Sequence, residues 1–189
     1  MDLIGFRSMA SLFILSSVLT SALCCDWLNH YSDLRNSSIV LIESMGGPFT
    51  NSISQVTFPY KLYRRMNKKK ANSKLLFIRD CLEQIYDLYR HNDGVMPAAW
   101  DSVKTSDFLE SINRQIIELD ECVSALQLHQ YREPSWTLNV RHCFKDLKNQ
   151  TLDRYGGSRD GWELLRRETK PHLIRLDLLG NQFKEAIRR

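Results

Sequence analysis

Residues 106–126, SDFLESINRQIIELDECVSAL, carry the cleanest periodicity in the chain. Leu109, Ile112, Ile116, Leu119, Val123 and Leu126 recur in steps of three and four, which makes one side of an α-helix apolar and the rest polar. Ser106 or Asp107 supplies a capping oxygen at the start, and the exit runs through Gln130 to Pro134. A strand would alternate every second residue, and this stretch does not. A helix with one apolar face needs partners of the same kind.

Those partners lie on both sides in the sequence. Upstream, Leu75, Ile78, Leu82, Ile85 and Tyr89 form a second stripe with Cys81 beside it, closed by His91-Asn92-Asp93-Gly94. Further upstream run Trp27, Tyr31, Leu34, Leu41 and Met45, with Ser38 in the missing slot and Gly46-Gly47-Pro48 as the stop. Downstream come Trp136, Val140, Phe144, Leu147, Thr151 and Tyr155, ending at Gly156-Gly157. A fifth stripe starts near Ser158 to Asp160 and holds Trp162, Leu165, Thr169, Leu173, Leu176 and Phe183. Trp162 is expected in the core. Pro171 falls inside that pattern and predicts a kink or a split near Lys170. Five amphipathic segments and no convincing strand make the chain all-α.

The connections carry topology. Residues 48–70 lack period, and about 25 residues between the first two helices far exceeds the 2–8 usual between bundle neighbours. That length crosses a helix of roughly 25–30 Å with ease. The first two helices can therefore run parallel, joined by an overhand loop, as in an up-up-down-down four-helix cytokine bundle with an additional fifth helix.

Composition agrees. The chain has 189 residues, 43% hydrophobic and 25% charged, which suits one packed domain. Eight Gly and five Pro are too few for a many-stranded sandwich. Residues 1–24, MDLIGFRSMASLFILSSVLTSALC, follow the order of a secretory signal peptide: Arg7, an apolar run from Met9 to Leu19, then small residues. The run is too short for a membrane span of about 20 residues. The expected mature domain is 25–189, secreted and not inserted in a membrane. Cleavage after Cys24 leaves four cysteines, Cys25, Cys81, Cys122 and Cys143; cleavage after Ala22 is the rival. Four cysteines allow three pairings, and spacing does not choose among them.

Little of the sequence reads as chemistry. The five His show no HExxH or finger spacing and no CxxC occurs, so no metal or cofactor is expected. Gly156-Gly157-Ser158-Arg159-Asp160 lacks the second glycine of a nucleophile elbow and reads better as a helix start. Asp120-Glu121 read as a solvated face, and His172 as a core or boundary histidine without nucleophile or metal set. No enzyme is expected. The basic run Lys61, Arg64, Arg65, Lys68, Lys69, Lys70, Lys74 suits glycosaminoglycan or nucleic acid; without an aromatic stacking set, a solvated loop is favoured and no nucleic-acid partner is expected. Asn36-Ser37-Ser38 and Asn149-Gln150-Thr151 are glycosylation acceptors by pattern.

Ordered motifs now accumulate: Cys25-Asp26-Trp27, Phe58-Pro59-Tyr60-Lys61-Leu62-Tyr63, Ala99-Trp100-Asp101, Asp107-Phe108, Leu119-Asp120-Glu121-Cys122-Val123 and Trp162-Glu163-Leu164-Leu165-Arg166-Arg167-Glu168. As an ordered set over nearly all of 25–187, they resemble a type I interferon, closest to the form found in bony fishes. Asp160-Gly161 stand where the family often has Cys-Ala, so its mammalian bridge from the long loop to the last helix cannot form. The resemblance implies instead the four-cysteine fish subgroup, with bridges Cys25–Cys122 and Cys81–Cys143.

The resemblance also implies function. A monomeric secreted cytokine would join two class II cytokine receptor chains and induce antiviral genes. The last helix and long loop would touch one receptor chain, and the second, third and fourth helices the other. Arg166, Arg167, Lys170 and Arg175 fall outside the last stripe and are the expected contact residues, so Arg166→Ala with Lys170→Ala should leave stability within about 0.5 kcal/mol. Two alternatives stand beside this reading: another four-helix cytokine, and a secreted basic helical protein acting directly on microbial or anionic surfaces.

Overall fold

Asp101 starts the central helix. Its carboxylate accepts the backbone N–H groups of Val103 and Lys104 at 3.0 and 3.1 Å, which satisfies two of the orphan donors at a helix start. The computed structural model describes residues 25, 27–51, 53–90, 97, 99–128 and 134–187, except for the side chains of 28–32, 35, 36, 186 and 187. The signal segment 1–24, the turn at 91–94 and the Asn36 side chain lie outside that set. The helices are α1 (Trp27–Ser44), α2 (Tyr60–Asn67), α3 (Ala71–Arg90), α4 (Ser102–Ala125), α5 (Thr137–Lys148) and α6 (Arg159–Ile187). Asn149–Asp153 form a π-helical turn that prolongs α5. Among the described residues there is no strand.

Cross-helix contacts fix the directions. Cys25 meets Cys122, Ser38 meets Ser111 and Gln115, and Asp101 N–H donates to Met45 O, so α1 and α4 are antiparallel. Arg166 reaches Ile42 while Phe183 packs on Trp27, so α1 and α6 are antiparallel too. Lys74 meets Gln182 and Tyr89 meets Thr169 between α3 and α6, and Arg79 meets Asp120 and Tyr89 meets Phe108 between α3 and α4. Hence α1 and α3 run one way and α4 and α6 the other: up-up-down-down, with α5 bridging the second overhand connection.

The core follows the stripes with one rotation. Along α4 the buried line is Phe108, Ile112, Leu119, Cys122 and Val123, while Leu109, Ile116 and Leu126 are only partly covered. Burying each large side chain stabilises by about 1.5–3 kcal/mol. Gln115 and Ser111 interrupt this line and answer the polar slot of α1. The Gln115 amide donates to Ser38 Oγ at 3.0 Å, and the two serine hydroxyls share a 2.9 Å bond. A buried polar group is tolerated when it is paired, and this trio pairs itself.

Two expectations are settled by packing. Of the kink or split predicted near Lys170, the split does not occur: α6 runs continuously from Arg159 to Ile187 with Pro171 inside it, and buried Trp162, Thr169, Leu173 and Leu176 anchor both sides of the proline. The loop between α1 and α3 contains a helix that its sequence pattern does not reveal. α2 is only eight residues long, with Leu62, Tyr63 and Met66 buried on its inner side.

The cysteines divide differently from the expected pattern. Cys25 and Cys122 form a disulfide, with Cα atoms 4.7 Å apart. The expected Cys81–Cys143 bridge is absent: both residues are free thiols, Cys81 buried and Cys143 partly so. Burial pushes both thiols up, Cys143 to about 11. A protonated thiol is a poor nucleophile for exchange.

Candidate interaction surface

The start of α6 lies between α1, the loop after it and α3. Trp162 packs edge-on against Trp100, centroids 5.7 Å apart, and also meets Tyr89. Glu163, equally buried, accepts the Trp100 indole N–H at 2.6 Å. Arg166 is 0% exposed. Its Nε and Nη2 donate to Glu163 Oε2 at 2.9 and 2.6 Å, Nη1 donates to the carbonyls of Ile42 and Glu43, and Nη2 donates to the Gly47 carbonyl. The guanidinium also covers the Phe49 ring at 4.2 Å.

This corrects the placement of Arg166 on the exposed face. A residue four places after a buried one lies on the same side of a helix, so Trp162 takes Arg166 inward with it. Once inside, the planar fork satisfies carbonyls at the C-terminal end of α1, where a cation also complements the helix dipole. The backbone must come close for this. A Cβ on Gly46 would stand 2.9 Å from both Glu163 Oε1 and Trp100 Nε1.

The other expected contact residues are nearer the surface. Arg167 donates to Thr50 O at 2.7 Å and pairs with Glu168, its side chain 27% exposed. Lys170, 31% exposed, pairs with Glu43 of α1. Arg175 is partly exposed, with its guanidinium 5.8 Å from the Tyr60 ring centroid. Ile174 and Leu178, 39% and 45% exposed, continue the same face of α6. Val40, 58% exposed, lies one turn before Glu43 on α1, as Ile174 lies one turn after Lys170 on α6. Ile39, one residue before Val40, is the α1 side chain that lines the seam with Leu173 and Leu176, so Val40 itself points about 100° further round the helix toward solvent. Exposed apolar groups beside partly covered arginine suit a protein–protein contact, where arginine is enriched and lysine is not.

The remaining sequence features find their places. Asn149 is exposed at the head of the π turn, while Thr151 is buried and donates to Leu147 O at 2.7 Å. Gly156 and Gly157 have φ of +57° and +67°, and Ser158 Oγ accepts the Gly161 N–H, so this segment caps α6. His172 is buried between Phe58 and Phe144, with Nδ1 2.8 Å from the Tyr63 hydroxyl. Burial lowers its pKa to about 3, so it is neutral at pH 7. An open cleft of about 490 Å³ lies between the long loop and α5, lined by Lys61, Arg65, His142, Cys143 and Asp146 among others. Among the described residues no His/Cys/Asp/Glu group could hold a metal, and no helix is long and apolar enough to cross a membrane.

Two parallel helices followed by two antiparallel to them, with long connections within each pair, define the helical cytokine class. Within that class the chain belongs to the interferon alpha/beta family, whose domain matches residues 28–183. It is 34% identical over 172 residues to interferon a3 of Oncorhynchus mykiss, covering 90% of this chain and 93% of that protein. It also resembles the solved structure of zebrafish interferon 1, with a TM-score of 0.72 and 29% identity over 84% of this chain and 99% of that one. The family is one of cytokines, not of enzymes.

Proposed function

We propose that the chain is a secreted type I interferon, freed of residues 1–24, that joins two class II cytokine receptor chains as a monomer and induces antiviral genes. The observation that supports this reading is the face of α6 on which exposed Ile174 and Leu178 lie beside Arg167, Lys170 and Arg175, next to the loop that Arg166 fixes. In this assignment Arg167, Lys170 and Arg175 face one receptor chain, while Arg166 positions α1 and the loop from within. Asn36 and Asn149 are assigned as glycan acceptors, the latter on its exposure.

The test applies the purified protein to cells with and without the candidate receptor chains and reads antiviral transcripts. Induction only in receptor-bearing cells is expected; induction without either chain would overturn the reading. A mass loss after peptide N-glycosidase treatment would map the occupied acceptors.

A further inference from the structure

From Ser44 to Arg79 the chain contains no Asp or Glu, yet eight Lys and Arg. The whole chain is only +4, so this segment concentrates positive charge that the rest of the molecule offsets. Two of the eight are spoken for: Lys74 is buried and donates to Gln182, and Arg79 pairs with Asp80. The other six, Lys61, Arg64, Arg65, Lys68, Lys69 and Lys70, are all exposed. Among the described residues none of the six has an ion-pair partner.

Geometry makes these charges a fixed row. Lys61, Arg64, Arg65 and Lys68 fall at i, i+3, i+4 and i+7 of α2 and its C-cap, which is one helical face about 10 Å long. Lys69 and Lys70 follow in the turn between α2 and α3, where the Lys70 carbonyl accepts the first amides of α3. The opposite face is locked into the core: Leu62, Tyr63 and Met66 are buried, Tyr63 stacks on Phe58 at 5.3 Å, and its hydroxyl is hydrogen-bonded to His172. Like charges one turn apart repel each other. Six held together without an ion-pair partner cost stability in the free protein, and a polyanion laid along them would offset that cost.

We infer that α2 and the turn after it form a binding surface for a linear sulfated polysaccharide of the heparan sulfate type. Short clusters rich in lysine and arginine suit such chains, whose closely spaced sulfates match a row of cations and release counter-ions on binding. Two other anionic partners fit less well. Nucleic-acid strands need aromatic faces for their bases, and Tyr60, the exposed aromatic of α2, is already engaged by Phe58 and Arg175. A membrane surface calls for an apolar helix face to bury, and α2 has given its own to the core. This site adjoins the α6 face at Arg175, which lies over Tyr60, but shares none of its cations with it. It rests on the extracellular reading only for where the polysaccharide would be met.

The experiment titrates the purified, bridged protein with a heparin-derived decasaccharide by calorimetry at several salt concentrations, without any receptor. Binding that weakens steeply with salt is expected. Lys68→Ala/Lys69→Ala/Lys70→Ala should lower affinity roughly tenfold or more and flatten the salt dependence. The control triple Lys104→Ala/Arg114→Ala/Lys145→Ala, from other faces, should leave affinity within about twofold, with matching circular dichroism for all variants. Equal loss in both triples would reduce the effect to net charge and overturn the site. So would unchanged binding in the Lys68–Lys70 triple, or tighter binding to a single-stranded DNA of equal charge or to phosphatidylserine vesicles. Failure here leaves receptor-dependent transcription intact, and failure of transcription leaves this binding intact.

Discussion

Arg166 shows how much one side chain can hold. It joins the end of α1, the loop through Gly47 and the start of α6, and Glu163 carries the link on to Trp100. Arg166→Ala would strand a buried carboxylate, so we expect a loss of about 3–5 kcal/mol in denaturant unfolding. Arg166→Lys keeps the charge but not the fork and should recover only part of it. A parent-like midpoint for Arg166→Ala would show that the network adds nothing to stability. Trp162→Ala removes the ring beneath this network and should cost about 3–5 kcal/mol as well, read the same way. Trp162 was legible from its place on a periodic stripe. Arg166 was not, because polarity stood in for exposure, and only the carbonyls of a distant helix end make a buried guanidinium tolerable. The Cys81–Cys143 pairing came from the resemblance alone, and in this fold both thiols are free; whether two cysteines pair depends on Cβ distance and direction, which neither spacing nor a resemblance reports.

At the level of elements, the five long helices were readable because each buries one narrow stripe. α2 was not, since two turns offer too few repeats to show a period. Ile174 and Leu178 fall outside the apolar stripe of the last helix, but an apolar side chain off a stripe does not by itself report an exposed contact face. If this face of α6 is the contact surface, Ile174→Glu with Leu178→Glu should keep the melting point within a few degrees. It should lower receptor affinity roughly tenfold or more, a change worth about 1.4 kcal/mol. Unchanged affinity on a receptor-coated sensor would remove α6 from the interface. Where α1 meets α6, Gly46→Ala should destabilise by about 1–3 kcal/mol, because the added methyl meets Glu163 and Trp100 and would push the loop away from Arg166. A parent-like denaturation midpoint would show that the loop can give way without loss.

For the whole molecule, acid is the informative variable. With the folded His172 pKa at about 3 and an ordinary value of about 6.5, the unfolded chain binds a proton between those limits that the folded chain does not. Stability from this group is therefore complete above about pH 6.5 and falls by about 1.4 kcal/mol per pH unit below it. Glu83, whose pKa burial raises, works in the opposite direction. The comparison is thus between parent and His172→Gln, unfolded at pH 7, 6, 5 and 4: the variant should lose less stability with falling pH. Identical slopes would mean that His172 is protonated in the fold. The bridge gives a second global test. In the chain-entropy model a closure of this length is worth roughly 4–5 kcal/mol, so Cys25→Ser with Cys122→Ser should cost on that order. Alkylation of the unreduced, unfolded parent should label Cys81 and Cys143 and leave Cys25 and Cys122 untouched.

The same bridge sets a schedule for synthesis. Cys25 leaves the ribosome 97 residues before Cys122, and the helix that follows Cys25 packs against α4 and α6, both made later. α1 thus emerges without either wall of its future groove. Its apolar side, from Trp27 to Met45, must wait in the open until most of the message has been read. A chain arrested before Arg159 would hold its disulfide partners and α4, yet lack the guanidinium that closes the end of α1. Assembly of this bundle is for that reason an event of chain completion, and the early half of the polypeptide is the half that needs shelter in the meantime.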